Sequence, residues 1–393
     1  MQRLLNKVLP KLNPMEDKVN IAIIAGQLVV GGAERQLYLW LANLDRERFN
    51  PLVLTLHPGH GDYWEKPIET LGIPLVRVRQ QNNRLIRLIA IIKILRPFKP
   101  DLIHGWHLFA SPYAGVVAWF FKAKSIGSLR DSYRVFTKNR LSALLTLTCV
   151  DAILVNSYSA SKKIENKKIR KNQKVFTINN AIQLSQHNCS ENNNFLSEVI
   201  KSKINRLLIV SLGRLDYKKR FDLLLLTIAK LKQINTNFHL LLIGDGSERN
   251  SLEQIVIKLE IHEYVTFTGE IPDAASWLKA ADIFAFTSLD EGMPNVIMEA
   301  AAAGLPIVTW RLPFYEELLE HGVSALLVEP EDTGAMKDAI LTLMNSPELR
   351  ESLGQAARRC MFESFSLQAY VEKMTAAYEA VLAGKMQGGG NRQ

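Results

Sequence analysis

VNIAIIAG (Val19–Gly26) and GQLVVGGAER (Gly26–Arg35), followed by an apolar-periodic segment to Asn43, decide the fold. A short apolar run ending in glycine is the pattern of a strand buried on both faces, as parallel strands are. The glycine-rich turn then feeds a helix over about 32–43. The alternation returns along the chain. Strand patterns at 51–56, 101–104, 125–129 and 152–156 alternate with helix patterns at 63–71, 85–95, 111–121 and 141–149. A second series has strands at 206–212, 238–243, 265–268, 282–286, 306–308 and 325–328, with helices at 221–232, 251–259 and 295–303. Helices at 333–344, 347–360 and 367–382 close the chain. Such alternation predicts α/β domains with doubly wound parallel sheets.

The expected organisation is a basic extension over 1–18 and a first Rossmann-like domain over 19–190. The polar stretch QLSQHNCSENNN (Gln183–Asn194) reads as the linker to a second such domain over 200–364. A helix over 365–383 returns toward the first domain, and 384–393 is a disordered tail. Open α/β sheets bind ligands beyond the carboxyl ends of their strands. Two such domains facing a central cleft make that cleft the default site.

The chain has 393 residues, enough for two cores. Its formal charge of +9 invites a nucleic-acid reading, but the distribution matters more. Residues 1–200 hold 28 Lys and Arg against 14 acids, a net +14; residues 201–393 hold 20 against 25, a net −5. No helix-turn-helix, RNP or aromatic–basic pattern occurs, so nucleic acid is not the expected partner. Cys149, Cys189 and Cys360 form no CxxC pair, which fits a reducing cytoplasm. The N-terminus has no continuous apolar core, and the most apolar tract, Tyr113–Phe121, is too short to span a bilayer. The expected location is cytoplasmic, peripheral at the inner face of the membrane.

Three motifs carry chemistry. SLDEGMPNVIMEAAAAG (Ser288–Gly304) reads as a turn after a strand, then a helix with Pro294 in its first turn. A helix start is an anion site. Glu291 lies just before it, and Glu299 about one turn along it; both are suited to accept hydrogen bonds from hydroxyls of a sugar or a ribose. GRLDYKK (Gly213–Lys219) ends a strand and places Arg214 and Lys219 at its carboxyl end, where a diphosphate could be held. The first βα turn brings Gly31 and Gly32 close to any ligand there. Neither that turn nor GDGSER (Gly244–Arg249) is GxGxxG, and no P-loop, HExxH or paired-cysteine zinc pattern exists. No cofactor and no metal are expected.

Taken together, over roughly 19–381, these motifs resemble the retaining GT-B glycosyltransferases of family 4, also called group 1. The resemblance is strongest at Gly213-Arg214-Leu215 with Lys219, Gly244-Asp245-Gly246, Thr268-Gly269, Glu291-Gly292 with Glu299-Ala300, and Gly304-Leu305-Pro306. It implies a nucleotide-diphosphate-sugar donor whose diphosphate is held by Arg214 and Lys219. It also implies that Glu291 meets the donor sugar and Glu299 the ribose, and that the segment Gly292, Met293, Pro294, Asn295 and Val296 lines the sugar and phosphates, with amide donors from all of these but Pro294. Gly32 would approach the same phosphates. Such enzymes usually need no divalent metal.

The chain departs from the pattern at Arg220, where the family has glycine after the motif lysine. Asn179-Asn180-Ala181-Ile182-Gln183 replaces Pro-Asn-Gly-Val-Asp. In the first half the family's Asp-x-x-His-x-His reads Asp101-Leu102-Ile103-His104-Gly105-Trp106-His107, with Trp106 at the second histidine. His104 and His107 are both acceptor-side candidates: His107 can take over the catalytic contact with a local shift, while His104 reads more as a support of the strand end from behind. Arg130, with Asp131, ends another strand and is either an acceptor contact or half of an ion pair. Asn156-Ser157 reads mainly as a strand end and helix cap.

The expected activity is transfer of a sugar, with retained configuration, to an acceptor hydroxyl of a glycan or lipid-linked acceptor in polysaccharide or lipopolysaccharide biosynthesis. The alternatives are a nucleotide-sugar epimerase or hydrolase, and a non-catalytic partner subunit. The basic half points to an anionic membrane surface as a further partner. RLIRLIAIIKILRPFKP (Arg84–Pro100) has the composition of a membrane-surface helix, but its basic residues spread around the wheel, which favours a core-packed helix. Lys162–Lys174 and a short helix over 1–14 are further basic segments.

Overall fold

The structure, a computed structural model, describes residues 17–57, 62–78, 83–167, 172–183, 206–271 and 277–386. The 1–14 segment, most of the 183–194 linker, Cys189 and the tail beyond 386 lie outside these residues. The chain divides into unit 1, residues 1–181 with 367–393, and unit 2, residues 182–366. The division falls at 181/182 because Ile182 already belongs to unit 2. Its amide donates to the Phe365 carbonyl at 3.0 Å, and it bridges to Ser366.

Unit 1 runs β1 (Val19–Ala25), α1 (Gly32–Ala42), β2 (Phe49–Thr55), α2 (Glu65–Thr70), β3 (Leu75–Arg77), α3 (Arg84–Leu95), β4 (Leu102–Gly105) and α4 (Ser111–Phe121). It continues with β5 (Lys124–Leu129), α5 (Tyr133–Lys138), α6 (Arg140–Cys149), β6 (Ala152–Val155), α7 (Tyr158–Glu165) and β7 (Lys174–Thr177). The strands form one parallel sheet in the order β3-β2-β1-β4-β5-β6-β7. Ile21 to Ala25 are wholly buried, which is why β1 reads as an unbroken apolar run. α3 and α4 pack on Ala22, Ile24, Leu52 and Leu54. Residues on the other side of these strands, Ile21, Ile23 and Val53, share a core with α1 and the last helix, α14 (Leu367–Met386). α14 places Tyr370, Met374, Tyr378 and Val381 in that core. It extends to Met386, past the start of the expected disordered tail.

Unit 2 runs β8 (Leu207–Leu212), α8 (Phe221–Lys232), β9 (Phe238–Ile243), α9 (Arg249–Lys258), β10 (Val265–Gly269), β11 (Ile283–Phe286), α10 (Asn295–Ala302) and β12 (Ile307–Trp310). α11 (Pro313–Glu316), β13 (Leu326–Val328), α12 (Thr333–Asn345) and α13 (Pro347–Ser364) complete it. Its parallel sheet is ordered β10-β9-β8-β11-β12-β13 around one apolar core. Each sheet reverses its winding once, at β1/β4 in unit 1 and at β8/β11 in unit 2. Neighbouring loops leave the sheet on opposite sides at such points, which opens a crevice there.

His104, at the end of β4, is fully buried. Its Nδ1 lies 2.7 Å from the Tyr378 hydroxyl and its Nε2 2.6 Å from Ser128 Oγ, so both ring nitrogens are occupied inside unit 1. An acceptor contact is closed to it, and it ties α14 to the sheet. Burial, then the Arg130 charge, then His107 hold its imidazole well below the usual range. The unfolded chain therefore binds a proton that the folded chain refuses once pH falls below about 6.5. Stability of unit 1 should fall with pH from there, by up to about 1.4 kcal/mol per pH unit. His104→Gln should lose that slope in denaturant unfolding followed across the same window.

Candidate functional site

The loop after β8 is short and tightly bonded. Lys218 N donates to Asp216 Oδ1 at 3.0 Å, and Lys219 N to the Asp216 carbonyl at 3.1 Å. The GDG run explains itself here by close approach. A Cβ on Gly244 would stand 2.1 Å from the Gly213 carbonyl oxygen, and one on Gly246 2.4 Å from that of Leu215. Only glycines let the β9 loop lie against the β8 loop, where Leu215 N donates to the Asp245 carbonyl at 2.9 Å.

The loop after β11 is laced to the same segment. Thr287 Oγ1 donates to the Lys219 carbonyl at 2.9 Å and Ser288 Oγ to that of Lys218 at 3.3 Å. Across this join Lys219 Nζ reaches Glu291 Oε1 at 2.5 Å, with both side chains largely shielded from water. Arg214, on the same loop, is 77% exposed, and Asp216 at 3.7 Å is its ion-pair partner. One loop thus carries a sheltered cation and an exposed one, each matched to a carboxylate. Arg220 follows with φ of 50° and caps α8. This left-handed conformation is one that glycine adopts without strain and a side chain does not. Its guanidinium compensates by binding Asp222 at 3.0 Å and Glu331 at 2.7 Å.

Pro294 lies one residue ahead of the expected first-turn position, capping α10, which begins at Asn295. Gly292, Met293 and Pro294 are buried, while Asn295, Val296 and Glu299 are half-buried. Glu291 stands just before the positive end of α10, and Glu299 lies about one turn inside it. Two residues behind this loop escaped the sequence reading. Trp310 Nε1 donates to the Thr287 carbonyl at 2.7 Å, and Tyr315 Oη to that of Ser288 at 3.0 Å. Burial, reinforced by the Glu291 charge, keeps the Tyr315 phenol well above its usual value, so it remains a donor. Trp310 ends β12 and Tyr315 lies in α11 just after it, and no local motif points back to the β11 loop.

At the unit 1 switch point Gly26 N donates to His107 Nδ1 at 3.3 Å. A backbone amide can only donate, so Nδ1 is an acceptor and the ring proton sits on Nε2. Nε2 lies 3.2 Å from Glu34 Oε1, and the ring stacks on Phe109. Glu34 belongs to the GGAER turn but was not read as a site residue. A Cβ on Gly31 would meet its Oε2 at 2.3 Å, which is a use for that glycine. Gly32 is the first residue of α1. Trp106, in place of the second family histidine, donates Nε1 to the Ala33 carbonyl at 2.9 Å and holds the start of α1. Arg130 stacks on Trp106 at 3.7 Å and is buried against Met374 of α14; Asp131 is exposed, and no ion pair joins the two. Ser157 Oγ caps α7 by accepting from Ala160 N. In the variant Asn-Asn-Ala-Ile-Gln segment, Ala181 exchanges two 2.9 Å hydrogen bonds with Gln36.

Two family models match the chain: "Glycosyltransferase Family 4" over residues 30–186 and "Glycosyl transferases group 1" over 192–360. Among curated proteins, the lipopolysaccharide core biosynthesis glycosyltransferase LpsD of Rhizobium meliloti is 27% identical over 87% of this chain and 93% of its own length. LpsE of the same organism is 26% identical over 90% and 96%. Among solved structures, Anabaena HepE in complex with UDP and glucose superposes with a TM-score of 0.80 at 20% identity, covering 92% of this chain and all of that one. The fold is thus the two-sheet GT-B arrangement.

Arg220 offers a stability test. Arg220→Gly relieves the left-handed conformation, worth about 1–2 kcal/mol, and loses partly exposed ion pairs worth about 0–1 kcal/mol. Urea unfolding should find it equal to or more stable than the parent. Arg220→Ala keeps the strain, loses the pairs and should be less stable by about 1 kcal/mol.

Proposed function

The chain belongs to the group 1, family 4 glycosyltransferases, and from that premise we propose that it moves a sugar from a nucleotide-diphosphate-sugar to an acceptor hydroxyl with retained configuration. The Lys219–Glu291 pair at the β8/β11 switch point, beside exposed Arg214 and the start of α10, carries this reading. When the bond between the sugar and the diphosphate breaks, negative charge gathers on the leaving phosphate. Arg214 can fork onto its oxygens, and Lys219 can turn a proton from Glu291 toward them. Amides between Gly292 and Val296 add the helix-start field. Together these groups supply the positive charge that a divalent metal would otherwise bring.

Glu291, held before α10, accepts hydroxyls of the donor sugar, and Glu299 accepts from the ribose. Gly32 leaves the start of α1 without a side chain, open to a ligand at the unit 1 switch point. His107 donates a hydrogen bond from its Nε2–H to a sugar hydroxyl, exchanging Glu34 for it. The UDP bound in the solved HepE complex supports a uridine nucleotide as donor. The names of LpsD and LpsE support a place in lipopolysaccharide or related polysaccharide biosynthesis. The acceptor falls to basic unit 1, which suits a lipid-linked, anionic glycan at a membrane surface.

Thermal-shift screening with UDP-, GDP- and ADP-sugars should raise the unfolding temperature with one nucleotide class. Nucleoside diphosphate release should then fall about 10²-fold or more in Arg214→Ala, Lys219→Ala and Glu291→Gln, each still folded. Release untouched by all three variants would make the chain a non-catalytic partner. Free sugar formed at full rate without any acceptor would make it a hydrolase.

A further inference from the structure

α3 and α4 share one core on one face of the unit 1 sheet. α6 joins their layer so closely that a Cβ on Gly115 of α4 would meet Cys149 at 2.7 Å. The outward side of this layer is not the polar surface expected of a solvated helix. Trp119, in the last turn of α4, is 83% exposed, and Leu85 on α3 is 68% exposed. Ile86 and Ile89 on α3 and Leu141 and Leu144 on α6 are also exposed.

The charges in this segment have one sign. Residues 84–150 contain eleven Lys and Arg against two acids, Asp101 and Asp131. Asp101 accepts from Asn20 N at 3.1 Å, which ties it inward. On α3 the exposed residues Ile86, Ile89, Lys93 and Arg96 recur three or four apart and so share one stripe. Arg87, one of the basic positions off this stripe, is buried toward Tyr113 instead. The helix is core-packed and also presents an apolar, basic outer stripe. On α6, Leu141 and Leu144 sit beside exposed Arg140 and Lys138.

We propose that this α3–α4–α6 face docks unit 1 on an anionic lipid bilayer. The proposal rests on the reading of unit 1 as the side that meets a lipid-linked acceptor. Convex helices with separate protruding apolar side chains in a basic field match the bilayer interface, where apolar groups sink between headgroups and cations meet phosphates. A second copy of the chain would set two like-charged faces together, which Coulomb repulsion opposes. No helix of the described residues is long and apolar enough to cross a membrane, so contact through this face lies along the surface.

The test is co-sedimentation of the full chain with phosphatidylcholine vesicles, with and without phosphatidylglycerol. Four proteins are compared: the parent, Ile86→Glu/Ile89→Glu, Trp119→Ala and, as control, Ile257→Glu, an equally exposed apolar position in unit 2. The parent and the control should sediment with the anionic vesicles only and be released by high salt. The double variant and Trp119→Ala should each bind at least tenfold more weakly, with unchanged unfolding temperature. Donor-induced thermal shift on the same samples separates the two readings. Vesicle binding without donor binding leaves this face intact and removes the proposed function. Donor binding with no sedimentation, or an equal loss in Ile257→Glu, overturns the docking face.

Discussion

Lys219 and Glu291 meet across the point where the unit 2 sheet reverses its winding, and the surrounding loops are built to keep them there. A largely buried ion pair is weak evidence for stability, since desolvation offsets most of its attraction. Its cost is better understood as pre-organisation. The lysine is fixed in place, and under the proposed function its carboxylate partner would become available for hydroxyls once the lysine engages a phosphate. The glycines of the β9 loop, the Thr287 and Ser288 hydroxyls, and Trp310 and Tyr315 all act on the backbone that carries this pair. The unit 1 switch point repeats the device in polar form, with His107 held between Gly26 and Glu34.

Much of the fold was legible because parallel strands buried on both faces advertise themselves as unbroken apolar runs. The positions of candidate residues at strand ends were legible where a turn follows a strand, as at Arg214, Lys219 and Glu291. Residues acting from a distance were not. Tyr315 reaches Ser288 across 27 positions and Glu34 reaches His107 across 73, and neither separation leaves a local period. Arg130 looked like a ligand contact or an ion pair because nothing in its neighbourhood foretold that α14 would cover it. His104 was legible as a support, but its partner Tyr378, 274 residues away, was not. Arg220 is the converse case. Its departure from the family glycine falls on the one non-glycine residue of that loop with a positive φ.

Charge is divided unevenly between the two halves. In the mildly acidic half the proposed phosphate site rests on a few placed cations and a helix start, which needs local geometry rather than net charge. The basic half has its excess spread over outer helices, where it acts at longer range and is screened by salt. A positive total read as one number would have pointed to nucleic acid.

The most direct test is the difference electron density of crystals of the full chain soaked with UDP. The account predicts the diphosphate at the β8/β11 switch point, with its oxygens within roughly 2.7–3.2 Å of Lys219 Nζ and an Arg214 guanidinium nitrogen. Nucleotide density elsewhere in unit 2, with the Lys219–Glu291 pair unchanged and Arg214 still extended into solvent, would contradict it.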